Sequence, residues 1–286
     1  MIQLIYICIH KVIPAITLTP MKDITVVIPV YTHLLTDHEK NSLKNAMLVL
    51  KRIPIVIVKP LSLSGILLED LAPGIPTISF PDNFFDSIEG YNRLMLSTQF
   101  YEAFSESRYI LIHQLDAWIF SDNLEVWCSM EFDYIGAPWI KRGIYQKPLV
   151  KQYMSLLRFF NKLAKNPDRQ SLYNQVGNGG LSIRKVSSHL RATIELKNII
   201  EIFLSGKRDH MHNEDVFWSV EVNRHLTNKF TYPHYTQAIK FSFDKHPEYC
   251  YKINGRELPF GCHGWSKKRM YPFWKNIIKL SERPSP

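Results

Sequence analysis

Four short stretches of this chain hold residue types that could do chemistry. In Tyr109–Phe120, Tyr-Ile-Leu-Ile-His-Gln-Leu-Asp-Ala-Trp-Ile-Phe, an apolar and β-branched run gives way abruptly to Gln114 and Asp116. That pattern reads as a buried strand whose far end carries a carboxylate. Ligands of open α/β sheets bind beyond the carboxyl ends of the strands, so Asp116 stands where a metal or a sugar nucleotide would meet the protein; the alternative is that it caps the turn that follows. In His212–Trp218, Asn213 opens a helix whose first turn holds Glu214 and Asp215 and whose apolar face is Val216, Phe217 and Val220. One acid fixed at a cleft in this way could act as general base on a hydroxyl, while two acids in a first turn also serve simply as partners of the helix dipole. Asn178, Gly179 and Gly180 form a glycine-rich turn that lets the backbone approach a ligand closely, or else a tight hairpin; it is neither a P-loop nor a dinucleotide fingerprint. His263, between Cys262 and Gly264, could present an imidazole to a metal or a phosphate, although a lone histidine is more often structural.

Positioning these residues takes a regular frame. Ile24 to Val30 is a β-branched first strand, and Thr36 with Glu39 has the form of a capping box opening a helix that places Leu43, Met47 and Leu50 on one face. Residues 53–58 and 76–80 give a second and a third strand. A helix from about Ser87 to Phe104, with Tyr91, Leu94, Thr98 and Tyr101 along one side, delivers the chain to the strand at Tyr109. Strands alternating with helices in this order imply a parallel sheet with crossover helices. Beyond Asp116 come a short helix, Asp122–Cys128, and an extended piece, Phe132–Trp139. Lys141 to Tyr173 is basic and lacks strand signals, and reads as an insertion or mobile loop with one helix near Tyr153 to Ala164, as lids over sites often do.

Bulk properties narrow the function classes. The 35 Lys and Arg against 26 Asp and Glu give a net charge of +9, which favours an anionic partner such as a nucleotide phosphate or an acidic membrane face. The basic residues are spread, with local clusters only at Lys141-Arg142 and Lys267-Lys268-Arg269, so nucleic acid is not expected as a partner. Cys8, Cys128, Cys250 and Cys262 are far apart and form no C-x-x-C pair, which argues against a zinc knuckle or disulfide framework and fits a reducing cytosol. Residues 1–21 form an apolar leader too short and broken for a membrane span; it is either a weak surface anchor or the product of an upstream start, with Met21 as the true beginning. The expected organisation is a single domain over 22–276 with a helical insertion at about 141–173, followed by a tail at 277–286.

Taken together, the motifs YILIHQLDAWIF, DYIGAPW, VGNGGLSIRK, NEDVFW and LPFGCHGW resemble a domain-of-unknown-function family of the GT-A glycosyltransferase superfamily, from about Thr25 to Trp274. The resemblance implies an α/β fold of GT-A-like, Rossmann-like type, with a mixed, mainly parallel central sheet flanked by helices. It places Pro29 and Tyr31 at the end of the first strand, beside the nucleotide base, and Gln114-Leu115-Asp116 where the superfamily has its Asp-x-Asp metal motif. Asp116 and His263 would then bind Mn2+ or Mg2+ on the donor diphosphate, with Gln114 a neutral amide in place of the first acid. Asp215, or else Glu214, would take the acceptor proton in an inverting transfer, and Asn178, Gly179 and Gly180 would line the sugar or acceptor pocket. The implied activity is transfer from a nucleotide-sugar donor to a hydroxyl of a glycan or lipid-linked acceptor, in cytoplasmic synthesis of surface polysaccharide at or near the inner membrane face. Lys267-Lys268-Arg269, followed by Tyr271, Phe273 and Trp274, suits either anionic headgroups or a subunit contact. Alternatives are a nucleotidyltransferase of similar architecture and a non-catalytic module binding a sugar nucleotide or glycan.

Overall fold

The computed structural model describes residues 23–164, 168–206 and 210–281; the leader expected at 1–21 lies outside them. The chain opens with β1 (Ile24–Pro29), α1 (Asp37–Val49), β2 (Ile55–Pro60), α2 (Ile66–Glu69) and β3 (Thr77–Phe80). α3 (Ile88–Met95) and α4 (Thr98–Glu102) lead into β4 (Tyr109–His113), β5 (Ala117–Ile119), α5 (Leu124–Cys128) and β6 (Tyr134–Gly136). Next come α6 (Pro148–Leu163), β7 (Leu181–Lys185), α7 (Val186–Glu195), α8 (Lys197–Leu204) and α9 (Glu214–Val216). A π-helical turn, Phe217–Glu221, joins α9 to α10 (Val222–His225), and α11 (Tyr235–Phe241), β8 (Ser242–Phe243), α12 (Pro247–Ile253), β9 (Gly261–His263) and α13 (Tyr271–Ser281) complete the chain.

Six strands make the principal sheet in the order β3-β2-β1-β4-β7-β6. β3, β2, β1 and β4 run parallel, and β7 pairs antiparallel with both β4 and β6. This is the mixed, mainly parallel α/β architecture expected. A parallel sheet must be covered on both faces, which is why β1 and β4 read as continuous apolar runs. Alternation sends Ile24, Val26, Ile28 and Leu111 into one core layer and Val27, Ile110 and Ile112 into the other. A second, three-stranded sheet is ordered β5-β9-β8.

The capping box forms as read: the Thr36 side chain accepts from the Glu39 N–H, and the Glu39 carboxylate accepts from the Thr36 N–H. Elsewhere local chemistry divides what the periodicity joined. The helix expected over 87–104 is two helices, because Ser97 caps a fresh start by accepting from the Phe100 N–H. The apolar run 109–120 is likewise two strands, β4 in the large sheet and β5 in the small one, with Gln114-Leu115-Asp116 as the turn between them. α6 begins at Pro148, earlier than expected, since proline is well suited to a first helical turn. The expected tail is in part helix: α13 runs to Ser281 and buries Trp274 and Ile278. Among the described residues no helix is long and apolar enough to cross a membrane.

Candidate active site

Several strand ends meet at the carboxyl end of β4. Gln114 N–H donates to the Gly180 carbonyl at 2.8 Å, which ties the turn after β4 to the glycine segment before β7. β9 lies antiparallel to β5 with Ala117 opposite His263, so His263 reaches the residue before Ala117, which is Asp116. β8 runs parallel to β9, and Asp244, the first residue after β8, therefore emerges on the same side. These ends border a cavity of about 670 Å3 lined by Tyr31, Gln114, Asn178, Gly179, Gly180, Glu214, Asp215, Asp244, His263 and Lys267 among others.

The centre of the site is a charged chain. His263 Nε2 lies 3.0 Å from Asp116 Oδ1 and 3.2 Å from Gln114 Oε1, while its Nδ1 lies 3.2 Å from Asp244 Oδ1 and 3.0 Å from the Asn178 amide. Lys267 Nζ takes the other Asp116 oxygen at 2.9 Å. Burial alone would raise the Asp116 carboxyl, but His263 and Lys267 outweigh it and hold Asp116 well below the usual carboxylate range. Burial works against charge on His263 too, yet Asp116 and Asp244 push its pKa up to about 9.

The glycines are required by approach rather than by backbone conformation. A Cβ on Gly180 would collide with the His263 ring and the Gln114 amide, and one on Gly179 with the Glu214 carboxylate. The left-handed residue of the turn is Asn178, at φ 58°. The segment is no two-residue hairpin, since β6 and β7 are separated by the whole insertion.

Glu214 and Asp215 part company in the structure. Glu214 is buried against Arg184, with guanidinium to carboxylate distances of 3.0 and 3.1 Å, and Arg184 also donates to Tyr101 Oη at 3.0 Å and Ser182 Oγ at 3.2 Å. Among the described residues no cation pairs with Asp215 in this way. Its Oδ1 accepts from the Val216 N–H at 2.8 Å, and burial, followed by the carboxylates of Glu214 and Asp244, pushes its carboxyl up to about 7. The Asn213 side chain does not cap its own helix: it accepts from Asn92, whose Oδ1 in turn accepts the Glu214 N–H at 3.1 Å.

Of the residues singled out in the sequence, Tyr31, Gln114, Asp116, Asn178, Gly179, Gly180, Glu214, Asp215 and His263 gather here. Pro29 does not: it is buried in β1, paired with Val58, and is not among the cavity-lining residues. The basic cluster is also divided. Lys267 turns to Asp116, and of the aromatics after it Trp274 is buried and stacked on Phe120 at 5.4 Å, while Tyr271 and Phe273 are half-buried against the same cluster. Asp244 and Asn92 carried no motif of their own and are found only through their partners in the fold; Arg184 lies in the motif VGNGGLSIRK, but its pairing with Glu214 is seen only in the fold. Arg142, Tyr145, Arg169 and Tyr173, from the insertion, line the cavity as well.

Gln114 Oε1, Asp116 Oδ1 and His263 Nε2 converge as an oxygen-rich donor set that suits a divalent cation, and a carboxylate behind the ring, here Asp244, is the usual support of a ligating histidine. Among the described residues no three His, Cys, Asp or Glu side chains are grouped to hold an ion; with Asp116 and His263, the Gln114 amide would be the third donor.

The fold is that of the GT-A glycosyltransferases. The galactosyltransferase LgtC, solved with donor and acceptor sugar analogues, is 13% identical over 92% of this chain and 97% of its own, with a TM-score of 0.54. Mouse xyloside xylosyltransferase 1 in its apo form is 11% identical, covering 85% of this chain and 97% of its own, with a TM-score of 0.51. No curated protein matches the sequence. Residues 74–263, more than half of the chain, match the family model described as protein of unknown function (DUF5672), and the chain belongs to that family.

Proposed function

We propose that this protein is a glycosyltransferase that moves a sugar from a nucleotide-sugar donor to a hydroxyl of a glycan or lipid-linked acceptor with inversion. The observation that carries the reading is that one cavity borders two separated chemistries: Gln114, His263 and Lys267, the last two in contact with Asp116, and the carboxylate of Asp215 with its raised pKa. Solved relatives in fold, one of them holding donor and acceptor sugar analogues, support it.

In this reading Lys267 receives the donor diphosphate and offsets its charge. A divalent ion held by Asp116, Gln114 and His263 would supply Lewis-acid neutralisation of the departing nucleoside diphosphate. Asp215 accepts the proton of the acceptor hydroxyl as that oxygen bonds to the anomeric carbon and the bond to the diphosphate oxygen breaks. Glu214 is not the base, because its carboxylate is committed to Arg184; it fixes the turn on which Asp215 stands. The glycines at 179 and 180 bring the chain close enough to close one wall.

The test is calorimetric titration with a panel of nucleoside diphosphates, each with Mn2+ and with chelator, followed by turnover assays with the sugar nucleotide selected. Selective, cation-strengthened binding and transfer that Asp215→Asn removes are expected. Binding without turnover, unaltered by Asp215→Asn, would replace the enzyme with a sugar-nucleotide-binding module.

A further inference from the structure

We infer that α6 is a docking surface for an anionic membrane. The helix has no buried residue, yet Leu149, Tyr153, Leu156, Phe160 and Leu163 recur at spacings of four and three and are 57–81% exposed. At 100° per residue they form one stripe along the helix. Val150, Met154, Leu157 and Asn161 occupy an adjacent face and are half-buried. The helix is fastened there: Gln170 Nε2 donates to the Met154 carbonyl at 2.7 Å, and Arg158 pairs with Asp168 at 2.7 Å. The apolar stripe is thus held outward rather than left over from poor packing.

Charge selects the occupant. Residues 141–173 contain eight Lys and Arg and a single acid, Asp168. Lys151, Arg158 and Lys162 fall on the side of α6 away from the apolar stripe. Apolar and aromatic residues on one side with basic residues on the other is the pattern of a helix lying in a membrane interface, where apolar burial and attraction to acidic headgroups add. A second copy is the poorer fit, because pairing α6 with α6 would bring like charges together. The same insertion supplies Arg142, Tyr145, Arg169 and Tyr173 to the cavity wall, so docking through α6 would hold the cavity beside the headgroups.

The experiment is flotation of the full chain with phosphatidylcholine vesicles and with vesicles that also contain phosphatidylglycerol. Association with the acidic vesicles only, weakened by salt, is expected, and Leu156→Asp combined with Phe160→Asp should reduce it at least tenfold. Both side chains are exposed, so the double variant should keep the parent circular dichroism and nucleotide binding. Lys151→Gln with Lys162→Gln should weaken association without abolishing it. Equal flotation of parent and aspartate variant, or no flotation of the parent, would overturn the inference. A concentration-dependent dimer in light scattering that the aspartate variant dissolves, with no vesicle binding, would give the face to a second copy instead.

Discussion

Asp244 stands behind His263 on the side opposite Asp116, so one imidazole bridges two carboxylates at 3.2 and 3.0 Å. If the Nε2 side is where a cation is held, removing the charge behind the ring should weaken that cation without touching a donor atom. Asp244→Asn is expected to lower Mn2+ affinity by about 10–100-fold, read by calorimetry with the metal alone. Lys245→Gln, next along the chain, should leave it unchanged, and equal affinities across all three proteins would remove the metal assignment.

Asp215 should give the pH dependence its acid limb. A base must be unprotonated, and with the carboxyl at about 7 the turnover number should rise with pH through that value and level above it. Asp215→Asn should lower turnover by about 10^2–10^4-fold while the donor dissociation constant stays within experimental error. A variant with normal turnover would end the assignment.

The same group should leave a mark on stability. Its folded pKa lies above the ordinary value of 3.8, so the folded state holds the proton more tightly than the unfolded chain. The stabilisation is complete below about 4 and is lost as pH rises through about 7. Asp215→Asn removes the titration, and its melting temperature should therefore fall less than that of the parent between about pH 5 and about pH 8. Identical shifts in the two proteins would contradict the raised pKa.

How much of this could be read before folding the chain differs by residue. Asp116, His263 and Asp215 were visible because each sits beside a structural signal: a strand end, a pair of small residues, a helix start. Asp244 was not, since its role depends on β8 running parallel to β9, a pairing that two residues of strand do not announce. Lys267 was seen as part of a charged surface run; its direction toward Asp116 is a tertiary fact. Asn213 was placed correctly at the N-cap position, just before its helix, but the side chain that accepts the Glu214 N–H is that of Asn92, more than a hundred residues away. The break at Ser97 was missed because apolar periodicity runs across it while a hydroxyl cap acts locally.

Arg184 and Glu214 form a buried ion pair, and half of one should be worse than none. Arg184→Met alone should cost about 3–5 kcal/mol in denaturant unfolding, because it strands a buried carboxylate. Adding Glu214→Leu should restore a large part of that loss. A double variant no more stable than the single one would show that Arg184 acts through Tyr101 and Ser182 rather than through the carboxylate.

Gly180→Ala tests the wall of the site. The added methyl meets His263 and Gln114, so nucleotide and Mn2+ affinities should fall together while stability drops by about 1–3 kcal/mol. Undiminished binding would mean that the ring and the amide are free to move aside.

Ala117 lies opposite His263 and Trp118 opposite Cys262, and this pairing also constrains how such a chain can change over generations. Side chains alternate along a strand, so a slip of one position in β9 would turn the imidazole to the other face and bring a thiol or a bare glycine up to Asp116. The exposed loop at 255–258 can therefore grow or shrink with little penalty, as surface connections do, provided Gly261 to His263 arrive in the same phase. Length is negotiable in that part of the chain, and parity is not.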